Sequence, residues 1–257
     1  MFFRETDMIV KGHEIGSGMP LICVPVVERY RNACLTRVNN IVAGGCEMIE
    51  WRADYYEGSP NPDKIKEVLD GLPKMNDTIF LFTFRTLSQG GRLSVKRELV
   101  DSIIMNAAQS ESVDMVDIET FETDDAPDMV RRVHGMGKRV IASQHDFMKT
   151  PDSEEMYDML IRMMMTGADI VKLAVTPENA DDALKVLHVT TRFHEKYPKV
   201  PVVGISMGRS GLITRITGEI FGSAITFASE GLSSAPGQIP AKNMKVILNA
   251  VHKLMEE

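Results

Sequence analysis

The 257-residue chain reads as α/β, a single (β/α)8 barrel over residues 1–257 with an N-terminal hairpin closing the barrel bottom. Eight short apolar runs of strand length alternate with longer amphipathic stretches. Most of the runs are near-continuously apolar, as parallel strands covered on both faces must be. The length is close to the roughly 250 residues that eight β/α units occupy. With no composition break or linker, a closed barrel is favoured over an open, doubly wound sheet.

The segment MIVKGHEIGSG (8–18) precedes the first strand and suits a hairpin. The predicted strands are LICVPVV (21–27), CEMIEWRA (46–53), TIFLFTFR (78–85), VDMVDIET (113–120), RVIASQHD (139–146), DIVKLAVT (169–176), VPVVGISM (200–207) and SAITFAS (223–229). A helix follows the first strand, with Ala33, Val38, Ile41 and Val42 at helical spacing and Gly44-Gly45 as its stop. The next opens on Asn61-Pro62, a cap followed by a first-turn proline. SVKRELVDSIIMNAAQS carries Val95, Leu99 and Ile103 on one stripe, and APDMVRRVHGMG gives a weaker helix. DSEEMYDMLIRMMMTG opens with acids that suit the positive helix end. ENADDALKVLHVTTRFHEKYP, SGLITRITGEIFG and IPAKNMKVILNAVHKLMEE complete the set.

Composition narrows the function. Hydrophobic residues at 44% and charged residues at 25% exclude collagen-like, disordered and disulfide-scaffold classes. A net charge of −7 without a long basic tract argues against a nucleic-acid partner. An acidic chain binds an anionic substrate only by gathering arginines locally. No apolar run approaches a membrane span, and acids close behind Phe2 and Phe3 do not make a signal peptide. Cys23, Cys34 and Cys46 show no metal-ligand spacing and fit a reduced, cytoplasmic location. The 18 methionines read as adaptable core filler.

Charges interrupt the apolar runs at the strand ends, where such barrels carry their catalytic groups. EWRAD puts Glu50, Arg52 and Asp54 on one strand face, FTFR exposes Arg85, and the fourth strand carries Asp117 and Glu119. His145 ends the fifth strand, Lys172 sits inside the sixth, and Arg215, Ser234 and Gln238 follow the seventh and eighth. Singly, each has a plain structural explanation. An end-of-strand arginine is a surface charge, His145 a structural histidine, and Gln238 turn chemistry. Lys172 could snorkel to the rim or pair with Glu50 or Asp117. Together they suggest chemistry. A lysine within low-dielectric walls and near other cations loses affinity for its proton and can attack a ketone to form an imine. A histidine titrating near neutrality can then take the α-proton and protonate a departing hydroxyl, while arginines hold a carboxylate.

The stretches EWRADYY, FTFRTLSQGG, VDMVDIE, ASQHDFMKTP, DIVKLAVTP, ISMGRSGLITRITGEIFGSAITFAS and SAPGQIP resemble those of the type I 3-dehydroquinases of the shikimate pathway, in the same order, from about residue 21 to the end. The resemblance implies dehydration of 3-dehydroquinate to 3-dehydroshikimate through a covalent imine. It also implies a homodimer and no metal or organic cofactor. By position Lys172 matches the imine-forming lysine and His145 the general acid/base. Arg215 matches the carboxylate-binding arginine. Glu50, Arg52, Arg85, Ser234 and Gln238 match substrate-binding positions, and Met207 lies near the imine. The segment 231–239 resembles a loop that folds over substrate. Gln89 departs from relatives that carry glutamate beside the histidine, which predicts an imidazolium more acidic than theirs. The rival readings are a class I aldolase, for which SMGRSG offers a weak phosphate cradle, and a non-catalytic barrel binding a cyclic acid.

Overall fold

The computed structural model describes residues 8–231 and 234–256. A hairpin comes first, β1 (Met8–Val10) paired antiparallel with β2 (His13–Ile15). Eight parallel strands follow: β3 (Leu21–Val26), β4 (Met48–Arg52), β5 (Ile79–Thr83), β6 (Met115–Ile118), β7 (Arg139–Asp146), β8 (Ile170–Val175), β9 (Val202–Ser206) and β10 (Ile225–Phe227). They form one sheet ordered β10-β3-β4-β5-β6-β7-β8-β9. Its free edges meet where the Ala224 amide donates to the Val202 carbonyl at 2.8 Å, so the sheet is a nearly closed TIM barrel.

Every predicted strand is present; β7 keeps its predicted bounds and the others are shortened at one or both ends. Between the strands lie α1 (Arg31–Ala43), α2 (Pro62–Leu69), α3 (Arg97–Ala108), α4 (Ala126–Gly135), α5 (Ser153–Met165) and α6 (Ala180–Lys196). The Asn61 side chain accepts from the Asp63 and Lys64 amides, capping α2 as its Asn-Pro start predicts. Two expectations shift. Helix α3 begins at Arg97, after Val95, so its buried face runs through Val100, Ile103, Ile104 and Ala107 while Leu99 is exposed. SGLITRITGEIFG forms two short helices, α7 (Ile213–Ile216) and α8 (Gly218–Phe221), rather than one. Thr217 bonds back to the Ile213 carbonyl, and Gly218 packs so tightly on Pro20 and the Ser223 carbonyl that a Cβ there would sit 2.9 and 2.8 Å away. Helix α9 (Ala241–Met255) ends the fold.

Side chains alternate in and out along each strand. The outward set packs under the helices in one large cluster that includes Trp51, Phe80, Phe82 and Phe193. The inward set fills the lower barrel with Leu21, Met48, Ile79, Met115, Ile141 and Ile170, and Met8 and Ile15 of the hairpin plug this layer from below. Lys11 pins the hairpin to the barrel through Asp114 (2.7 Å) and the Thr78 carbonyl (2.9 Å). One or two pleats higher the same inward positions become polar: Glu50, Asp117, Ser143 and Lys172. The apolar plug therefore carries stability and leaves the upper barrel for charge. Ile141→Ala should lower the unfolding free energy by about 2–5 kcal/mol, read from urea melts, while the folded variant keeps its turnover.

Candidate active site

Parity and register place the charges. Ser143 on β7 is level with Lys172 on β8, and His145 stands one pleat nearer the mouth on the same face. Lys172 Nζ lies 3.8 Å from Glu50 and 3.7 Å from Asp117, and 4.1 Å from the centre of the Phe227 ring. Of the two surroundings the sequence left open for this amine, other cations or the carboxylates of Glu50 and Asp117, the structure shows the carboxylates, because β4 and β6 direct acids inward at its level. Asp117 also binds Arg85 (2.8 Å) and accepts from the Ser143 hydroxyl (2.6 Å). Arg85 donates further to Glu119 (3.0 Å) and to Ser143 Oγ (2.9 Å). It is 2% exposed, not the exposed strand-end charge that FTFR suggests, since β6 and β7 fold over it. Burial works against the Arg85 charge, but Asp117 and Glu119 hold its proton affinity above the ordinary arginine value. Burial likewise raises the Asp117 carboxyl, and Arg85 and Lys172 outweigh it, so the carboxyl titrates below its usual range. Arg52 is bidentate to Asp54 (2.8 and 2.9 Å), and Asp54 sits in a 3-10 turn (Ala53–Tyr55) past the strand end.

His145 is held by Gln89. The Gln89 Oε1 atom lies 3.0 Å from the His145 backbone nitrogen and 3.2 Å from Nδ1. A backbone N–H can only donate, so the Gln89 atom facing it is the oxygen, and Nδ1 must carry a hydrogen to bond it. Nε2 is thereby left as the acceptor, the state required of a base. Gln89 Nε2 donates in turn to Gln144 (3.1 Å). Burial, then the charges of Arg85, Lys172 and Arg52, push the His145 imidazolium well below the usual 6.5. No carboxylate touches the ring among the described residues, so nothing opposes burial and those charges.

Arg215 is the odd cation. It is 2% exposed and donates to the carbonyls of Phe227 (3.3 Å) and Pro236 (3.1 Å), with its Nε buried and unpartnered. Among the described residues no acid lies within ion-pair reach, and burial alone lowers its pKa to about 10. A buried guanidinium without a counter-charge is a site for an anion. Beside it Ser234 and Gln238 bond each other, Ser234 N donating to Gln238 Oε1 and Gln238 Nε2 to Ser234 Oγ, each at 3.0 Å. Residues 232 and 233 of the 231–239 segment lie outside the described residues.

These groups line one cavity of about 40 Å³ at the barrel mouth. Glu50, Arg52, Arg85, His145, Lys172, Met207, Arg215, Ser234 and Gln238 all border it, together with Gln89. A larger cleft of about 570 Å³ between α2 and α3 holds none of them. Among the described residues no group of His, Cys, Asp and Glu could hold a metal ion. Sequence reasoning missed Phe147, whose ring borders the cavity and packs so closely on Gly90 that a Cβ there would sit 2.2 Å away. The signal was the Gly90-Gly91 pair: Gly90 has φ of +84°, and a Cβ on Gly91 would collide with the Arg85 carbonyl.

A family model for type I 3-dehydroquinase matches residues 22–255. The chain belongs to the type I 3-dehydroquinase family. It is 37% identical over 248 residues to the 3-dehydroquinate dehydratase of Clostridium novyi, covering 96% of this chain and 98% of that one. It is 38% identical over 246 residues to that of Clostridioides difficile, covering 95% and 96%. Among solved structures, the type I 3-dehydroquinate dehydratase of Clostridium difficile with covalently modified comenic acid aligns at a TM-score of 0.92 and 36% identity, covering 97% of this chain and 99% of that one. That of Geobacillus kaustophilus aligns at 0.92 and 29%, covering 97% of each. The chain is accordingly a hydro-lyase of the shikimate pathway whose substrate is 3-dehydroquinate.

The depressed His145 pKa fixes a sign. The unfolded histidine takes a proton near pH 6.5 and the folded one resists it, so stability falls as pH drops below 6.5 until the folded ring also protonates. Gln89→Glu places an anion against Nδ1 and should raise the His145 titration, followed by NMR, and the acid limb of kcat/KM together. An unchanged titration in the variant would refute the electrostatic role of this position.

Proposed function

We propose that this dehydratase works through a covalent imine on Lys172 with His145 as general acid and base. The Lys172 amine attacks the ring ketone of 3-dehydroquinate, and loss of water gives the protonated imine. The imine draws electrons from the adjacent carbon, and His145 Nε2 removes its proton. The electron pair moves inward, the β-hydroxyl leaves, and His145 returns its proton to that hydroxyl as water. Hydrolysis of the imine releases 3-dehydroshikimate and restores the amine. The observation that carries this reading is the placement of Lys172 one pleat below His145 on adjoining strands, in the same cavity as the uncompensated Arg215. The covalently modified comenic acid in the structure of the Clostridium difficile relative supports it.

In this reading Glu50 and Asp117 flank the Lys172 amine and hold it toward the cavity, and Arg52, Arg85, Ser234 and Gln238 meet the ring hydroxyls and carboxylate. Arg215 takes the carboxylate, and Met207 packs beside the imine. The cavity has room for about three waters, less than a substituted ring, so residues 234–238 move outward to admit substrate and return to exclude water. No organic cofactor or metal enters the scheme. Residues 1–257 act as one barrel domain, the working form is a homodimer, and the enzyme is cytoplasmic; no helix among the described residues is long and apolar enough to cross a membrane.

Borohydride reduction in the presence of 3-dehydroquinate should trap an adduct on the peptide containing Lys172, located by peptide mass mapping. Adduct on another lysine, or none, would overturn the assignment. Arg215→Ala should raise KM by about 10–100-fold, the loss of a charge-assisted bond to the carboxylate, with the melting temperature unchanged or higher because an uncompensated buried charge is gone.

A further inference from the structure

The guanidinium of Arg52 lies 5.0 Å from the centre of the Tyr55 ring, and that of Arg92 lies 4.5 Å from the same centre. Arg52 faces the cavity and is itself buried. Arg92 is exposed and has no ion-pair partner among the described residues. Its position is built rather than incidental. The Gly91 amide donates to the Thr86 carbonyl at 2.8 Å, and Gly91 packs directly on the Arg85 carbonyl. Gly90 adopts φ +84° beneath Phe147. This tight return carries the chain from the end of β5 back over the strand ends and sets Arg92 on Tyr55, and Thr86 and Leu93 form a parallel bridge across it. The same return delivers Gln89 to His145.

We propose that Arg92 is a positioning residue for substrate binding, acting through Tyr55 on Arg52. Asp54 holds one edge of the Arg52 guanidinium, through Nε and Nη2, which fixes its reach. The Tyr55 face fixes its plane, and Arg92 clamps the ring that does so. A guanidinium with both reach and plane fixed presents its remaining N–H groups to the substrate in one orientation, so less freedom is lost on binding. The proposal rests on the reading of Arg52 as a substrate contact, which Arg52→Ala tests separately.

The experiment is a double-mutant cycle on the full-length enzyme with 3-dehydroquinate, following the enone product by absorbance. Arg92→Ala should raise KM about two- to five-fold, the magnitude of one exposed cation–π contact, with kcat and melting temperature little changed. The rise should persist at high salt, because it passes through a ring contact and not a long-range field. Tyr55→Leu should raise KM at least as much, and adding Arg92→Ala to it should do nothing further. Tyr55→Phe, which keeps the ring face, should preserve the Arg92 effect and serves if Tyr55→Leu folds poorly. An unchanged KM in Arg92→Ala, additive effects in the cycle, or a rise that vanishes with salt would each overturn the proposal. If Arg52→Ala leaves KM unchanged, it is the assignment of Arg52 that fails.

Discussion

The ion pair between Arg85 and Asp117 holds the upper barrel together. Arg85 comes from the end of β5 and reaches Asp117 on β6, Glu119 just past it and a hydroxyl on β7, while the same Asp117 oxygen lies 3.7 Å from the Lys172 amine of β8. Four neighbouring strands are tied by one guanidinium and one carboxylate. Neither ion would be tolerated alone at that depth, since an unpaired buried charge costs several kcal/mol. Each exists because the other does, and the lysine is admitted to the interior on the strength of both.

The pairing of every cation in that network with an acid throws its exceptions into relief. Arg52 is matched by Asp54, Arg85 by Asp117 and Glu119, and Lys172 by Glu50 and Asp117. Among the described residues Arg215 has backbone carbonyls and no acid. His145 has a neutral amide where a carboxylate would have steadied its cation. A stable protein gains nothing from either arrangement. Both suit a site whose missing anion arrives with the substrate and whose histidine must stay neutral until a proton is offered.

The division of labour along the barrel axis follows from strand parity. Inward positions near the bottom are aliphatic and sealed by the hairpin, and the same positions two or four residues later are ionic. Stability and chemistry thus occupy different layers of one pleated surface. Core changes below can be absorbed without disturbing the polar geometry above. The Gly90-Gly91 return serves the upper layer alone, since it brings Gln89 to His145, Phe147 to the cavity wall and Arg92 to Tyr55.

The alternation of apolar runs and amphipathic stretches was enough to establish eight strands, their order along the chain and the barrel that closes them, because periodicity reports burial directly. It also put Lys172, His145 and Arg215 at one end of the molecule, since strand ends are local facts. Which groups would touch was not legible. That Arg85 is buried rather than exposed, that Lys172 meets both Glu50 and Asp117 where the sequence offered them only as one alternative, and that Ser234 pairs with Gln238 depend on stagger between strands and on loop paths. The helix phase at Leu99 and the break at Thr217 escaped for a related reason: where a helix starts or stops is decided by the surface it packs against. Sequence determined the alternation of faces, and the tertiary structure alone decided the partners, because a charge in the interior is governed by whatever lies within a few ångströms of it, and those neighbours come from strands far apart in the chain.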